Sequence, residues 1–154
     1  MKSIVIVSDV HGNVSALEKI LPVMKESNYV FCLGDFKRDI LLYQKELGNK
    51  IYAVAGNCDG GGEDLVVDIE GCKILLTHGD RYGVKYSKYK LYLKAKELGV
   101  KYVFFGHTHI SEITEENGIT IINPGCMSVG ASLPTYCYAV VHNKKVIPTI
   151  VTIR

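Results

Sequence analysis

A chain of 154 residues is long enough for one domain around one hydrophobic core, and it needs no disulfides to stay folded. Its 47% hydrophobic and 22% charged residues exclude a disordered chain. Eighteen Lys and Arg against sixteen Asp and Glu leave a formal charge of +2, too mild to argue for a nucleic-acid partner.

The five cysteines (Cys32, Cys58, Cys72, Cys126 and Cys137) are odd in number and contain no C-x-x-C pair. Free thiols in a reducing compartment are expected, which points to the cytoplasm. The first apolar run, Ile4 to Val7, is too short for a signal peptide or a membrane span, so no membrane association is expected.

In chain order, Ile4 to Val7 reads as a strand. Val14, Leu17, Leu21 and Met24 fall on one helical face, and Ser15 with Glu18 has the form of a capping box. Tyr29 to Leu33 is the next strand. Ile40, Leu41 and Leu47 suggest a short helix ended by Gly48. Ile51 to Ala55 is the third strand. Leu65 to Ile69 and Lys73 to Thr77 flank Glu70-Gly71 as a hairpin. Val84 to Leu98 reads as helix and Lys101 to Phe105 as strand. The remainder is extended: Ile110 to Glu115, Ile119 to Ile122, Tyr136 to Val141 and Val146 to Ile153, with Asn117-Gly118 a strong turn signal. No linker, repeat or low-complexity stretch interrupts this order, so residues 1–154 are expected to form a single domain. An early βαβαβ followed by strand-rich segments predicts two packed sheets covered by helices.

The informative pattern lies where strands stop. Five apolar runs end in Asp9-Val10-His11-Gly12-Asn13, Gly34-Asp35, Gly56-Asn57-Cys58-Asp59, His78-Gly79-Asp80 and Gly106-His107-Thr108-His109. In open α/β sheets, sites form beyond the carboxyl ends of strands. Glycines beside the polar residues let the backbone approach a ligand closely. Asp9 and His11, and likewise His107 and His109, are spaced i and i+2, which in an extended segment faces both side chains the same way. Asp35 has two oxygens and is a candidate bridge. Asn57 offers a neutral oxygen and His78 an imidazole. Such mixed N and O donors suit Mn, Fe, Zn, Ni or Co rather than a closed thiolate zinc site. His142, outside these loops, has no such neighbours.

As an ordered set, SDVHGN (Ser8 to Asn13), GD (Gly34-Asp35), GNCD (Gly56 to Asp59), HG (His78-Gly79), GHTH (Gly106 to His109) and NPGC (Asn123 to Cys126) resemble the calcineurin-like metallophosphoesterase superfamily. The resemblance is to its small single-domain phosphodiesterase branch in bacteria and archaea. It implies an α/β fold of four αββα layers, in which two mixed β-sheets are flanked by helices. It also implies two divalent metals at one edge, with Mn2+ the first expectation and Ni2+, Fe2+, Zn2+ or Co2+ compatible. By motif position, Asp9, His11 and His109 would hold one metal, Asn57, His78 and His107 the other, and Asp35 would bridge them. Many relatives have His where this chain has Cys58, the position from which a leaving group is protonated. They often have Ser at Cys126 and a second His at Asp80.

The expected reaction is hydrolysis of a small phosphodiester, in the manner of a nucleotide substrate, by hydroxide bridging the two metals. Asn57 would stabilise the phosphoryl oxygens, His11 or Cys58 would serve the leaving group, and Asp59 would orient a neighbour. Phosphomonoesterase activity is the near alternative. A non-catalytic scaffold, as in the retromer's phosphoesterase-like subunit, is the distant one. The segment from Arg81 to Lys96 interleaves six basic residues with Tyr82, Tyr86, Tyr89 and Tyr92 and contains no acid. It is read as a solvated helix face, with Arg81 the residue in it best suited to a substrate phosphate. Tyrosine-rich surface and extended C-terminal strands permit a homodimer.

Overall fold

All four residues from Ile4 to Val7 are buried, so the strand that carries them, β1 (Lys2–Val7), is covered on both faces. Ile4 and Ile6 face a second sheet, while Val5 and Val7 face helices. This alternation produces four layers from one short sequence. The computed structural model describes residues 1–128 and 133–154.

The first sheet has strand order β10 (Lys145–Thr152), β9 (Thr135–His142), β1, β2 (Tyr29–Cys32) and β3 (Ile51–Ala53). β1, β2 and β3 run parallel, whereas β9 pairs antiparallel with β1 and β10. The second sheet is ordered β4 (Leu65–Ile69), β5 (Cys72–Leu76), β6 (Tyr102–Phe104), β8 (Ile119–Asn123) and β7 (Glu112–Glu116), with β5, β6 and β8 parallel. Both sheets are therefore mixed.

Phe31, Leu33, Ile74, Leu76, Phe104 and Ile122 meet Ile4 and Ile6 between the sheets. Outside the first sheet lie α1 (Val14–Glu26), α2 (Lys37–Leu41) and α3 (Gln44–Leu47), which contribute Leu17, Ile20, Met24, Ile40 and Leu47. Outside the second sheet, α4 (Tyr89–Leu98) buries Leu91 and Ala95 against Leu75, Val103 and Ile121. Each fully buried Leu or Ile contributes about 1.5–3 kcal/mol, so the three apolar interfaces hold the layers together.

Several sequence expectations need correction. The α1 cap is Asn13, whose Oδ1 accepts from Ala16 N at 3.3 Å, and not a Ser15–Glu18 box. Asn13 precedes the helix, and its Nδ2 also donates to the Met127 carbonyl at 2.7 Å, which fixes where the helix starts. The helix expected through Ile40, Leu41 and Leu47 is two single turns followed by a 3-10 turn at Gly48–Lys50. α4 begins five residues later than Val84. Gly83 adopts φ 60°, and Val84 is buried against the sheet as part of a turn. No helix among the described residues is long and apolar enough to cross a membrane.

Candidate metal centre

The carboxyl ends of β1, β2, β3, β5 and β6 open toward one edge, and the seven residues singled out in the sequence meet there. Five of them (Asp9, His11, Asp35, His107 and His109) have positive φ, between 46° and 71°. Asp, Asn and His enter this left-handed region more readily than other non-glycine residues, but at a cost. The extended i, i+2 geometry expected for Asp9–His11 and His107–His109 is thus replaced by tight left-handed turns. The consequence differs for the two pairs. Asp9 and His11 serve one cluster together, whereas His107 and His109 serve different clusters.

In one cluster, donor atoms of Asp9, His11, Asp35 and His109 all lie within 4.8 Å of one another, and in the other so do those of Asp35, His78 and His107. Asp35 belongs to both. His109 Nε2 is 3.2 Å and His11 Nε2 3.7 Å from Asp9 Oδ1, while Asp35 Oδ2 lies 3.5 Å from His11 Nε2 and 3.4 Å from His78 Nε2. Asn57 Oδ1 is 3.0 Å from His78 Nε2, which is also 3.1 Å from His107 Nδ1.

The chemistry of these contacts calls for a cation. Asp9 is fully buried, yet among the described residues its Oδ1 has no hydrogen-bond partner, and neither does His11 Nε2. An orphaned buried carboxylate oxygen is costly unless a positive charge meets it. His78 Nδ1 lies 2.7 Å from the Leu33 carbonyl, an acceptor only, so Nδ1 carries the proton and donates. Nε2 is then the ring nitrogen turned toward the oxygens of Asn57 and Asp35. Burial, then the neighbouring His78 and Lys85, hold the His107 imidazole below its usual range, which favours the neutral ligand form. The residues present fit divalent metal.

Supporting contacts orient this set. Asp9 Oδ2 accepts from Ser8 Oγ at 2.7 Å and from the His107 amide at 3.1 Å, leaving Oδ1 free. Asp35 Oδ1 accepts the Cys58 amide at 2.9 Å. Asp59 ties down the loop between β3 and β4, accepting from Gly56 N at 2.9 Å and Lys37 N at 3.1 Å. Asp39 accepts from Gly12 N at 2.9 Å, and Asn123 Nδ2 donates to the Gly106 carbonyl and to Thr108. In the sequence Ser8 and Asn123 stand only as motif members without a role, and Asp39 does not stand out at all. They are three of the few buried polar residues, which only the folded chain makes visible. Such second partners commonly govern metal affinity.

Cys58 is exposed at the rim, and its thiol is pushed up by burial of its surroundings and then by the Asp35 charge. Cys126 lies beneath the site, with Sγ 3.5 Å from the Asp9 carbonyl and accepting from Ser128 N at 3.3 Å. The Arg81 guanidinium is half-exposed and lies 2.6 Å from Asp64, which also accepts from Tyr82 at 2.5 Å. In the basic segment Leu91 and Ala95 face the core, and Tyr86 and Tyr89 are exposed.

Sequence and structure comparisons show what the chain is similar to. The calcineurin-like phosphoesterase superfamily domain matches residues 1–145. The chain is 32% identical over 143 residues to the probable metallophosphoesterase YsnB of Bacillus subtilis, covering 90% of this chain and 82% of that one. It is 24% identical over 156 residues to the phosphodiesterase YfcE of Escherichia coli K12, covering 84% and 81%. A predicted phosphoesterase of Streptococcus pneumoniae TIGR4 superposes with a TM-score of 0.82 at 26% identity, covering 98% of this chain and 89% of that one. Two mixed five-stranded sheets with acidic and imidazole donors at one edge define a metallophosphoesterase fold. The chain belongs to the calcineurin-like phosphoesterase superfamily.

Proposed function

We propose that the chain acts as a single-domain phosphodiesterase with a dinuclear metal centre, Asp9, His11 and His109 holding one ion, Asn57, His78 and His107 the other, and Asp35 shared. The observation that carries this reading is the partnerless, fully buried Asp9 Oδ1, aimed at imidazole nitrogens in a cluster that shares Asp35 with a second one. Two divalent cations, if so held, would supply an acidified water as nucleophile and Lewis-acid stabilisation of phosphoryl oxygens. Mn2+ is the first choice for this donor set, and Ni2+, Fe2+, Zn2+ and Co2+ are compatible with it.

The chain's own residues do the rest. His109 has 45% side-chain exposure and His11 23%, so the cluster is open on one side to a substrate. The Asn57 amide, close to both His78 and the rim, orients a non-bridging phosphoryl oxygen. Cys58 keeps its proton at neutral pH and stands where a leaving oxygen departs, with His11 the second candidate. A thiol is a weak acid for this task, so esters with good leaving groups such as phenols need it least. Asp59 positions the loop that carries Asn57 and Cys58. The relationship to YfcE, a phosphodiesterase, supports the same choice of reaction. Five free cysteines suit a reducing cytoplasm.

The test is an activity panel of metals against aryl phosphodiesters and monoesters, on protein with measured metal content. Two metals per chain and preferential diester turnover are expected. Faster monoester turnover would replace the diester reading. Full metal loading without turnover of either would support a scaffold.

A further inference from the structure

A cavity of about 390 Å³ adjoins the centre, lined by Phe36, Lys37, Arg38, Leu41, Cys58 and Asp59. It shares a wall with the site, because Phe36 follows Asp35 in the chain and the Cys58 amide binds the Asp35 carboxylate. Phe36 has φ 63° and ψ 46°, a left-handed conformation that a bulky residue rarely adopts. This backbone places its ring edge-on to His11, with centroids 5.1 Å apart, and the Arg38 guanidinium lies 4.8 Å from the ring centroid. The aromatic ring thus contacts both a candidate ligand and a cation.

The charges of the cavity are unevenly spent. Asp59 is its acid, and both of its oxygens accept backbone amides, from Lys37 and Gly56. Among the described residues, the Lys37 and Arg38 side chains have no ion-pair partner. Two cations on a three-residue arch, beside a ring and the apolar Leu41, suit a ligand that is both flat and anionic.

We propose that this cavity receives one ester arm of the substrate and selects an aromatic arm bearing a second negative charge. The inference rests on the phosphodiesterase reading and names the substrate class for it. A diester presents its two arms on opposite sides of phosphorus, so an arm directed past Cys58 meets Phe36 and Arg38. Selection comes from the charge-assisted contact with Arg38 and Lys37, and ring contact with Phe36 adds to it.

The experiment compares two symmetric substrates, bis(4-carboxyphenyl) phosphate and its neutral counterpart bis(4-carbamoylphenyl) phosphate, on metal-loaded protein. Wild type is expected to favour the carboxylate by about tenfold in kcat/KM, the size of one charge-assisted contact, and to lose that preference as salt rises. Arg38→Ala and Lys37→Ala should erase the preference by raising KM for the carboxylate more than for the carbamoyl substrate. Calorimetric binding of a non-hydrolysable bis(4-carboxybenzyl) phosphinate should weaken in parallel. Equal use of the two substrates by wild type, or a preference that survives both substitutions, overturns the proposal and leaves the phosphodiesterase reading intact. Failure to cleave either diester sinks that reading instead. The phosphinate titration then decides the cavity alone, supporting it if binding depends on Arg38 and overturning it otherwise.

Discussion

Gly56 and Asp35 occupy adjoining space so closely that a Cβ on Gly56 would overlap the Asp35 Oδ1 and crowd the Asp35 amide, 2.5 Å away. The glycine between β3 and the Asn57 turn is therefore a steric requirement of the carboxylate common to both clusters. Gly56→Ala removes no donor, yet it must displace the Asp35 carboxylate or the loop that carries Asn57. Metal affinity should fall by about 10–100-fold, as when an orienting partner is lost, with a stability cost of about 1–3 kcal/mol from overpacking. Metal titration followed by calorimetry checks this. Unchanged affinity in a folded variant would mean that Asp35 is not held as described.

Asp9 pairs a functional need with a structural cost. In the metal-free protein its buried Oδ1 faces imidazole nitrogens without a donor. Asp9→Asn keeps an oxygen for Ser8 and the His107 amide, and turns an amide donor toward those nitrogens. The variant should unfold later than wild type without metal, by about 1 kcal/mol, and should lose metal binding and turnover. Denaturant melts with and without metal read both halves. A less stable metal-free variant would argue that Oδ1 is already satisfied.

The His107 imidazole gives the metal-free fold a defined pH response. Its pKa in the folded chain lies below the usual 6.5, with burial the largest cause, then His78. Between those two values the unfolded chain binds a proton that the folded chain does not. Stability therefore rises with pH across that window. On acidification from neutrality, this contribution is lost as pH falls through 6.5 toward the folded value. Denaturant melts of metal-free wild type and His107→Gln across pH 5 to 8 should show a shallower slope in the variant. Parallel curves would remove His107 as the source.

How much of this was readable beforehand depends on the range of the interactions concerned. Apolar runs ending in Asp, Asn or His marked the site edge, because strand burial and strand termination are local properties. The four layers followed from the order of those runs. The left-handed turns at Asp9, His11, Asp35, His107 and His109 were not readable, since nothing in Asp-Val-His or His-Thr-His distinguishes them from extended chain. They are imposed by crossed partners such as the His107 amide on Asp9, 98 residues away in sequence. The Arg81–Asp64 pair was equally invisible, because Asp64 approaches Arg81 only in the fold. Asn13 displaced Ser15 as cap because Met127 anchors its amide from across the chain.

The thiols should separate by environment, with the half-buried Cys126 between the extremes. Cys32 and Cys137 are buried and pushed up to about 12 by that burial, and Cys72 is buried as well. Cys58 is exposed, so a disulfide reagent such as dithionitrobenzoate should find one fast thiol per chain, absent in Cys58→Ser, with Cys32, Cys72 and Cys137 reacting only on unfolding. Metal adds a second readout. After burial, the largest influence holding the Cys58 thiol up is the Asp35 negative charge. A divalent cation on Asp35 offsets that charge, so more thiolate forms at a given pH and the reaction accelerates on metal loading. A reaction that slows instead would mean that loading covers Cys58, and that the rim is closed to the arm of a substrate.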